Sequence, residues 1–588
     1  MQSVDFTTLY AVCCDLKAHW LPARLEQVYQ CDRYTLALAL RTLEKRSWLT
    51  LCWHPQAARL CLGEPPPKGT DTFTLSEQLR HQLKGFALIG LQPAAPWERV
   101  IDLQFARRPQ DPVAWHLYIE VMNKYSNVIL TTADQRIVTV AHQVSTQQSR
   151  VRPLQTGQPY RLPPALTLPV PSLEESQIHW QERVALIPGP VARNLHTTYR
   201  GLGPALAKSM IAAAGISATA TTDQLTPSEW QQLFSCWQAW LQAIQQETFI
   251  PGWQAQGYTV MGWEIVRLDA LHPLLDRYYT DQLNQQIFKQ LRHQLQQKLS
   301  GVIKKLQTKA HSFQTQLQAA ATADEHREQA DLLMANLHQW ELGMSSITLP
   351  DFEGDTSRTI ALNPERNAVQ NAQALYKRHQ KLKRSRNKLQ PLLAEVEQEL
   401  QYLYQVEAAV EQTEAYATPT DLDTLEEIRA ELIEQGYWPT PDHVTKTQVK
   451  TNFIQHHTPS GIELWVGRNN LQNDQLTFRV ATDYDLWFHT QEIPGSHALL
   501  RLEAGAVASQ ADLEWTANVV AYYSRARQSH QVPVVYTSPK HVYKPKGAQP
   551  GMVIYKHEQV IWGQPQLAKM LLANADASGA DADALVNT

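Results

Sequence analysis

The chain is expected to be a multidomain α+β protein: a β-rich N-terminal domain, a compact helical domain, a long antiparallel coiled-coil arm and an α/β C-terminal domain. Three observations carry that expectation. The 588 residues exceed what a single core of roughly 150 residues organises. Near the N-terminus apolar residues occupy every second position, as half-buried strands require. Further on, Leu375, Leu382, Leu389, Val396, Leu403 and Val410 recur at intervals of seven, which holds one apolar stripe against a partner helix.

The strands come first. YTLALAL (34–40), SWLTLCW (47–53) and ARLCL (58–62) alternate, and RVIDLQF (99–105), WHLYIEV (115–121) and NVILTTA (127–133) follow. SEQLRHQLKG (76–85) predicts a helix with Leu79 and Leu83 on one face and Gly85 at its end. Pro153, Pro159, Pro163, Pro164, Pro169 and Pro171 predict a linker, because proline offers no N–H to a helix or sheet. The first domain is therefore placed at 1–170, and a helical domain rich in Trp, Ala and Leu at 171–270.

The arm is placed at 271–436. Ile287, Leu291, Leu295, Leu299, Val302 and Leu306 step by three or four along its first helix, and the sevenfold run marks its second. Between them ITLPDFEGDTSRTIALNP (347–364) predicts an ordered elbow or small hairpin. A fold-back of the two helices makes the arm antiparallel; a parallel dimer is the competing arrangement. Alternating strand and helix patterns return over 445–575, and the small polar residues of 576–588 predict a disordered tail.

Composition narrows the function classes. A net charge of −4, from 53 basic and 57 acidic residues, excludes a uniformly basic protein but not a locally basic one. The six cysteines form no C-x-x-C pair, which argues against a disulfide scaffold or a zinc ribbon. No run of about 18 apolar residues is present, and the first residues lack a basic-then-apolar signal, so a cytoplasmic protein without a membrane partner is expected. Neither a phosphate-binding G-x-x-x-x-G-K-[ST] loop nor metal-ligand spacing is found. No cofactor, metal or catalytic residue is assigned, and the protein is not expected to be an enzyme.

Three segments have the chemistry of nucleic-acid contact. In GLGPALAKSMIAAAGI (201–216), Gly201 and Gly203 allow close backbone approach and Pro204 opens a helix whose free amides suit a phosphate. The alternative is a plain turn between helices. In YKRHQKLKRSRNK (376–388), Lys377, Arg378, Lys381, Lys383 and Arg384 crowd one helix with few acids, whereas a merely solvated face mixes signs. In the C-terminal unit, GRNNLQND (467–474), DLWFHTQEIPGSH (485–497) and KHVYKPKGAQPG (540–551) offer Asn469, Asn470, His489 and Lys544 to phosphate or ribose. His489, Ser496 and His497, with Asp485 or Asp474 as orienter, allow a catalytic reading, but no G-x-S-x-G elbow surrounds the serine.

These segments, taken in order, resemble the NFACT family of ribosome-associated quality-control factors across nearly the whole chain. LYIEVMNKYSNVIL (117–130) and TGQPYRLPP (156–164) are similar to its N-terminal domain, and GLGPALAK sits at its helix-hairpin-helix. ITLPDF (347–352) with NAQALYKRHQKLKR (371–384) resembles its arm, and the three C-terminal segments its RNA-binding domain. The resemblance implies binding to a split large ribosomal subunit, its rRNA and the peptidyl-tRNA of a stalled chain. It also implies recruitment of charged tRNA and untemplated extension of that chain, and the point where the sequence stops suggests the bacterial type, with alanine tails marking the product for degradation.

For tRNA recruitment the family uses an early Asp and an Asp-Arg pair. Asp5 matches the first and Arg99 the arginine, while Glu98 replaces the pair's Asp and reaches one methylene further. Two alternatives follow from relatives of the N-terminal domain and from family nomenclature: a DNA glycosylase-like enzyme and a fibronectin-binding surface adhesin. The glycosylase needs Pro then Glu after the initiator Met, where this chain has Gln2 and Ser3.

Overall fold

A computed structural model describes residues 1–66, 71–165, 167–352, 356–439 and 452–572. The expected tail at 576–588 lies outside the described residues, as do the acidic turn of the elbow at 353–355 and the start of the C-terminal unit at 445–451. The chain forms two compact units, Met1–Leu283 and Asn284–Thr588.

The first unit opens with α1 (Phe6–Trp20), buried on nearly every side. A nine-stranded antiparallel sheet follows, made of β1 (Ala23–Asp32), β2 (Thr35–Arg41), β3 (Arg46–Cys52), β4 (Arg59–Gly63), β5 (Ala87–Pro93), β6 (Val100–Ala106), β7 (Trp115–Glu120), β8 (Asn127–Thr132) and β9 (Ile137–Val140). Its order, β4-β3-β2-β1-β5-β6-β7-β8-β9, joins two meanders, β1 to β4 and β5 to β9, by a crossover that carries the helix α2 (Thr74–Leu83) and sets β5 beside β1. Leu79 and Leu83 of α2 are fully buried, as their shared face requires. Gly85 lies beyond the helix at φ +84°.

The proline stretch departs from the linker expectation. Leu154 and Tyr160 are buried, Leu154 bridges to Val144, and Tyr160 stacks on Tyr118 with ring centres 4.1 Å apart. The Tyr160 hydroxyl donates to Glu120 at 2.9 Å, and Arg152 pairs with the same carboxylate. Proline bars regular hydrogen bonding, but it does not prevent the residues between prolines from packing.

Four helices follow: α3 (Gln177–Val184), α4 (Val191–Thr198), α5 (Pro204–Ala213) and α6 (Pro227–Gln246). They close on the fully buried Trp180, Trp237 and Trp240. The Trp240 indole N–H donates to Thr7 at 2.9 Å, which ties this layer to α1. Three short strands, β10 (Gly252–Trp253), β11 (Tyr258–Thr259) and β12 (Arg267–Leu268), end a region expected to be wholly helical.

The arm is built from α7 (Leu271–Ala321), α8 (Ala323–Ala335), a hairpin of β13 (Ser346–Pro350) and β14 (Ser357–Ala361), α9 (Ala368–Gln412) and α10 (Pro419–Glu434). Its cross-contacts run in opposite directions. Arg292 Nε donates to the Thr413 carbonyl at 2.9 Å, Gln307 to the Tyr404 hydroxyl at 2.8 Å, and Gln314 to Glu397 at 3.3 Å. The long helices are therefore antiparallel within one chain. Leu291, Leu295 and Leu299 meet Val396, Leu403 and Val410 in the seam. Ile287 does not: it is 47% exposed and the buried position is Phe288.

The C-terminal domain has a six-stranded antiparallel sheet made of β15 (Ile454–His457), β16 (Glu463–Val466), β17 (Leu486–Thr490), β18 (Ala498–Leu500), β19 (Val532–Thr537) and β22 (Gln559–Gly563). The short α11 (Asn470–Gln475) follows β16, α12 (Gln510–Tyr522) packs against the sheet, and β20 (Val542–Tyr543) pairs with β21 (Ile554–Tyr555). No described helix is long and apolar enough to cross a membrane.

Candidate nucleic-acid interface

Two of the sequence constellations meet in the first unit, in one cavity of about 800 Å³. Asp5 is the N-cap of α1, its carboxylate accepting from the Thr8 N–H at 2.8 Å. Burial raises its pKa, while the Thr8 amide and the neighbouring Arg99 charge act the other way. Arg99 Nη1 donates to the Val4 carbonyl at 3.3 Å, just before the cap. Burial lowers the pKa of this guanidinium, and the Asp5 and Glu98 charges oppose the shift. Glu98 lies 3.9 Å from Arg200.

The glycines belong to the same wall. Gly201 has φ +78°, and a Cβ there would come within 2.5 Å of the Trp97 ring. Gly203, the N-cap of α5, would place one 2.7 Å from the Asp5 Cβ. The space that glycine leaves is thus filled by this protein's own Trp97 and Asp5, and it lets the starts of α1 and α5 approach each other. Two helix N-termini, each a partial positive charge, then face one cavity. Its lining includes Lys124, His196, Arg200 and Tyr125, the last 72% exposed. The cations, the start of α5, which no side chain caps, and an exposed aromatic ring can together hold a phosphate and stack a base, beside the Asp5 and Glu98 carboxylates of the same lining.

Trp97, Lys124, Tyr125 and Arg200 were missed in the sequence. Arg200 and Trp97 directly precede Gly201 and Glu98, but adjacency alone carries no chemical signal. Lys124 and Tyr125 fall inside LYIEVMNKYSNVIL, where a turn between two strands could have suggested an exposed loop.

On α9, Lys377, Arg378, Lys381, Lys383 and Arg384 are all exposed, as a phosphate-tracking face requires. Their neighbours differ. Arg386 pairs with Asp324 at 3.6 Å, and the buried His379 lies with Nδ1 2.8 Å from the Ala323 carbonyl oxygen.

In the C-terminal domain several residues expected to contact RNA turn inward. Asn469 and Asn470 are buried, and their amides donate to Glu427 at 2.7 Å and Glu431 at 3.0 Å, so neither is presented to solvent. Lys544 is part-exposed and pairs with Asp474. His489 is buried between the Trp487 and His497 rings. The catalytic arrangement does not assemble: Ser496 donates to Gln412 at 3.4 Å and His497 bonds to Thr477 at 2.8 Å. Among the described residues no group of His, Cys, Asp and Glu could hold a metal ion.

The sequence matches the family model for the NFACT N-terminal and middle domains over residues 5–451, and that for the NFACT protein RNA binding domain over 451–557. It is 28% identical over 584 residues to the Rqc2 homolog RqcH of Bacillus subtilis, covering 96% of this chain and 98% of that one. The protein of that name from Streptococcus pneumoniae is 28% identical over 577 residues, covering 97% and 99%. A solved C-terminal portion of the fibronectin/fibrinogen-binding protein from Streptococcus suis shares 28% identity, with 47% of this chain and 95% of that one covered. Its TM-score of 0.37 is too low to bear on fold or function.

Proposed function

The chain belongs to the NFACT family, and from that membership we propose that it is a cytoplasmic ribosome-associated quality-control factor. It binds a large ribosomal subunit that still carries peptidyl-tRNA, recruits charged tRNA, and directs untemplated, alanine-rich extension of the stalled chain. It positions substrates while the ribosome's own centre makes the peptide bond, so its contribution is proximity and orientation.

The observation that best supports this reading is the cavity where Asp5, Glu98 and Arg99 meet the Gly201–Gly203 turn. The geometry there is compatible with the following roles. Arg99 and the start of α5 supply positive charge for tRNA phosphates, and Tyr125 supplies a stacking surface for an unpaired base. Asp5 anchors α1 and sets the position of Arg99. The exposed cations of α9 contact rRNA phosphates, with Lys544 contributing from the C-terminal domain. Ribosome binding and tRNA recruitment are thus assigned to different parts of the chain, the four-part division 1–170, 171–270, 271–436 and 445–575 being kept for that assignment.

The test is affinity purification of the tagged protein, followed by sequencing of the RNA that comes with it. Large-subunit rRNA together with an enriched tRNA is the expected result. Recovery of neither at moderate salt would refute the proposal.

A further inference from the structure

β20 and β21 stand apart from the six-stranded sheet as a ribbon of their own, with Val542 opposite Tyr555 and Tyr543 opposite Ile554. Successive side chains of a strand point to opposite faces. Val542 is buried and shares a core cluster with Trp487 and Val535, so it marks the inner face. Tyr543 and Ile554 are 43% and 52% exposed on the outer one. Lys556 Nζ lies 5.9 Å from the centre of the Tyr543 ring, within reach of a cation–π contact.

Positive charge collects at one end of this ribbon. The Lys556 N–H donates to the His541 carbonyl at 3.1 Å, which sets the start of β20 beside the end of β21. The His541 and His557 rings are 4.7 Å apart, and the Lys540 charge also acts on His541. Lys540, His541, Lys556 and His557 are thus gathered there. No Asp or Glu occurs from Trp515 to His557, and the run ends at the exposed Glu558. Within that run Arg525, Arg527 and Lys544 are paired with Glu407, Glu414 and Asp474. Lys540, Lys546 and Lys556 are exposed and have no acidic partner among the described residues.

Like charges gathered without acids repel one another, and a polyanion relieves that repulsion. Lysines around an exposed aromatic ring add a preference for a polyanion that carries flat bases. Asn469, Asn470 and His489 are buried, whereas Lys544 directly follows Tyr543 on the ribbon. We infer that the outer face of the β20–β21 ribbon grips an unpaired RNA segment: one base stacks on Tyr543, and Lys540 and Lys556 hold the flanking phosphates. His541 and His557 line the same end and can donate from their ring N–H groups. The inference rests on the C-terminal domain binding RNA, and it names the surface that does so. An acidic peptide would use the charges without the ring, which the experiment separates.

The test is fluorescence anisotropy of a short labelled oligouridylate, which has no stable base pairing, titrated with the full-length protein. It is run in the parent and in the Lys381→Gln, Lys383→Gln, Arg384→Gln protein, so that α9 does not mask the ribbon. Tyr543→Leu should weaken binding about fivefold or more, while Tyr543→Phe, which keeps the ring, stays within about twofold. Lys540→Gln with Lys556→Gln should lower the slope of log affinity against log salt by about 1.4, at about 0.7 for each phosphate of a single strand. All three positions are exposed, and an unchanged Tm in each variant excludes a folding defect. Unlabelled deproteinised large-subunit rRNA and bulk tRNA compete in separate arms, and the stronger competitor at equal nucleotide concentration is the source. Equal binding by Tyr543→Leu and its parent, or displacement by polyglutamate as effective as by RNA, would overturn the ribbon as a base-stacking site. No binding of any of these RNAs would instead overturn the RNA-binding reading beneath it.

Discussion

Gly203 shows how a residue's reason can differ from its most inviting reading. A glycine before a helix suggests room for a ligand, but here the room belongs to Asp5, whose Cβ an added methyl would meet at 2.7 Å. Gly203→Ala should therefore lower stability by about 1–3 kcal/mol, read as a fall in the denaturant midpoint with an unchanged slope. Asn469 and Asn470 make the same point, because their partners Glu427 and Glu431 lie some forty residues earlier and no local pattern announces them. Glu431 also gives a pH prediction. Burial raises its pKa to about 7, with Asp474 adding to the shift and the Asn470 amide, the Tyr402 hydroxyl and Lys544 opposing it. The folded state then holds a proton that the unfolded chain releases near pH 4.5, so this group's contribution is full below that pH and is lost as pH rises through about 7. His489 and His497, whose pKa values are lowered mainly by burial, act oppositely as pH falls below 6.5. The comparison of Tm between parent and Glu431→Gln isolates the carboxyl: the variant should gain a few degrees relative to the parent between pH 5 and pH 8. A constant difference across that range would show that Glu431 does not titrate there.

Among elements, short apolar runs set off by turn residues were legible as strands, even though β2, β3, β6 and β8 are buried on both faces. The expected strands at 34–40, 47–53, 58–62, 99–105, 115–121 and 127–133 all appear within a residue or so of β2, β3, β4, β6, β7 and β8. The helix α1 was missed because it is buried on nearly every side, which erases the amphipathic period. In the arm, the strict interval of seven identified α9, whereas on α7 the seam runs through Phe288 and Ile303 and leaves Ile287 outside. Steps of three or four cannot decide between adjacent apolar residues, since both lie close to the stripe. Leu403, fully buried in that seam, should cost about 2–5 kcal/mol when changed to Ala, measured by denaturant unfolding. The exposed cations of α9 carry a different prediction. Replacing Lys381, Lys383 and Arg384 with Gln should flatten the dependence of log affinity for rRNA on log salt by about one unit for each phosphate contact removed. An unchanged slope would assign those charges to solvation.

For the whole molecule, the net charge of −4 conceals a localised basic face and says little about partners. The cavity of the first unit was legible only in pieces. Asp5, Arg99 and the glycine turn each stand out in the sequence, but their convergence depends on α1 and α5 starting side by side, a tertiary fact. In the proposed function this cavity serves tRNA while other parts of the chain hold the ribosomal subunit. Purifying tagged parent and Arg99→Ala proteins and quantifying tRNA and large-subunit rRNA in each separates the two roles. At least a tenfold loss of tRNA, with rRNA within twofold of the parent, is expected. Equal loss of both, or full retention of tRNA, would contradict it.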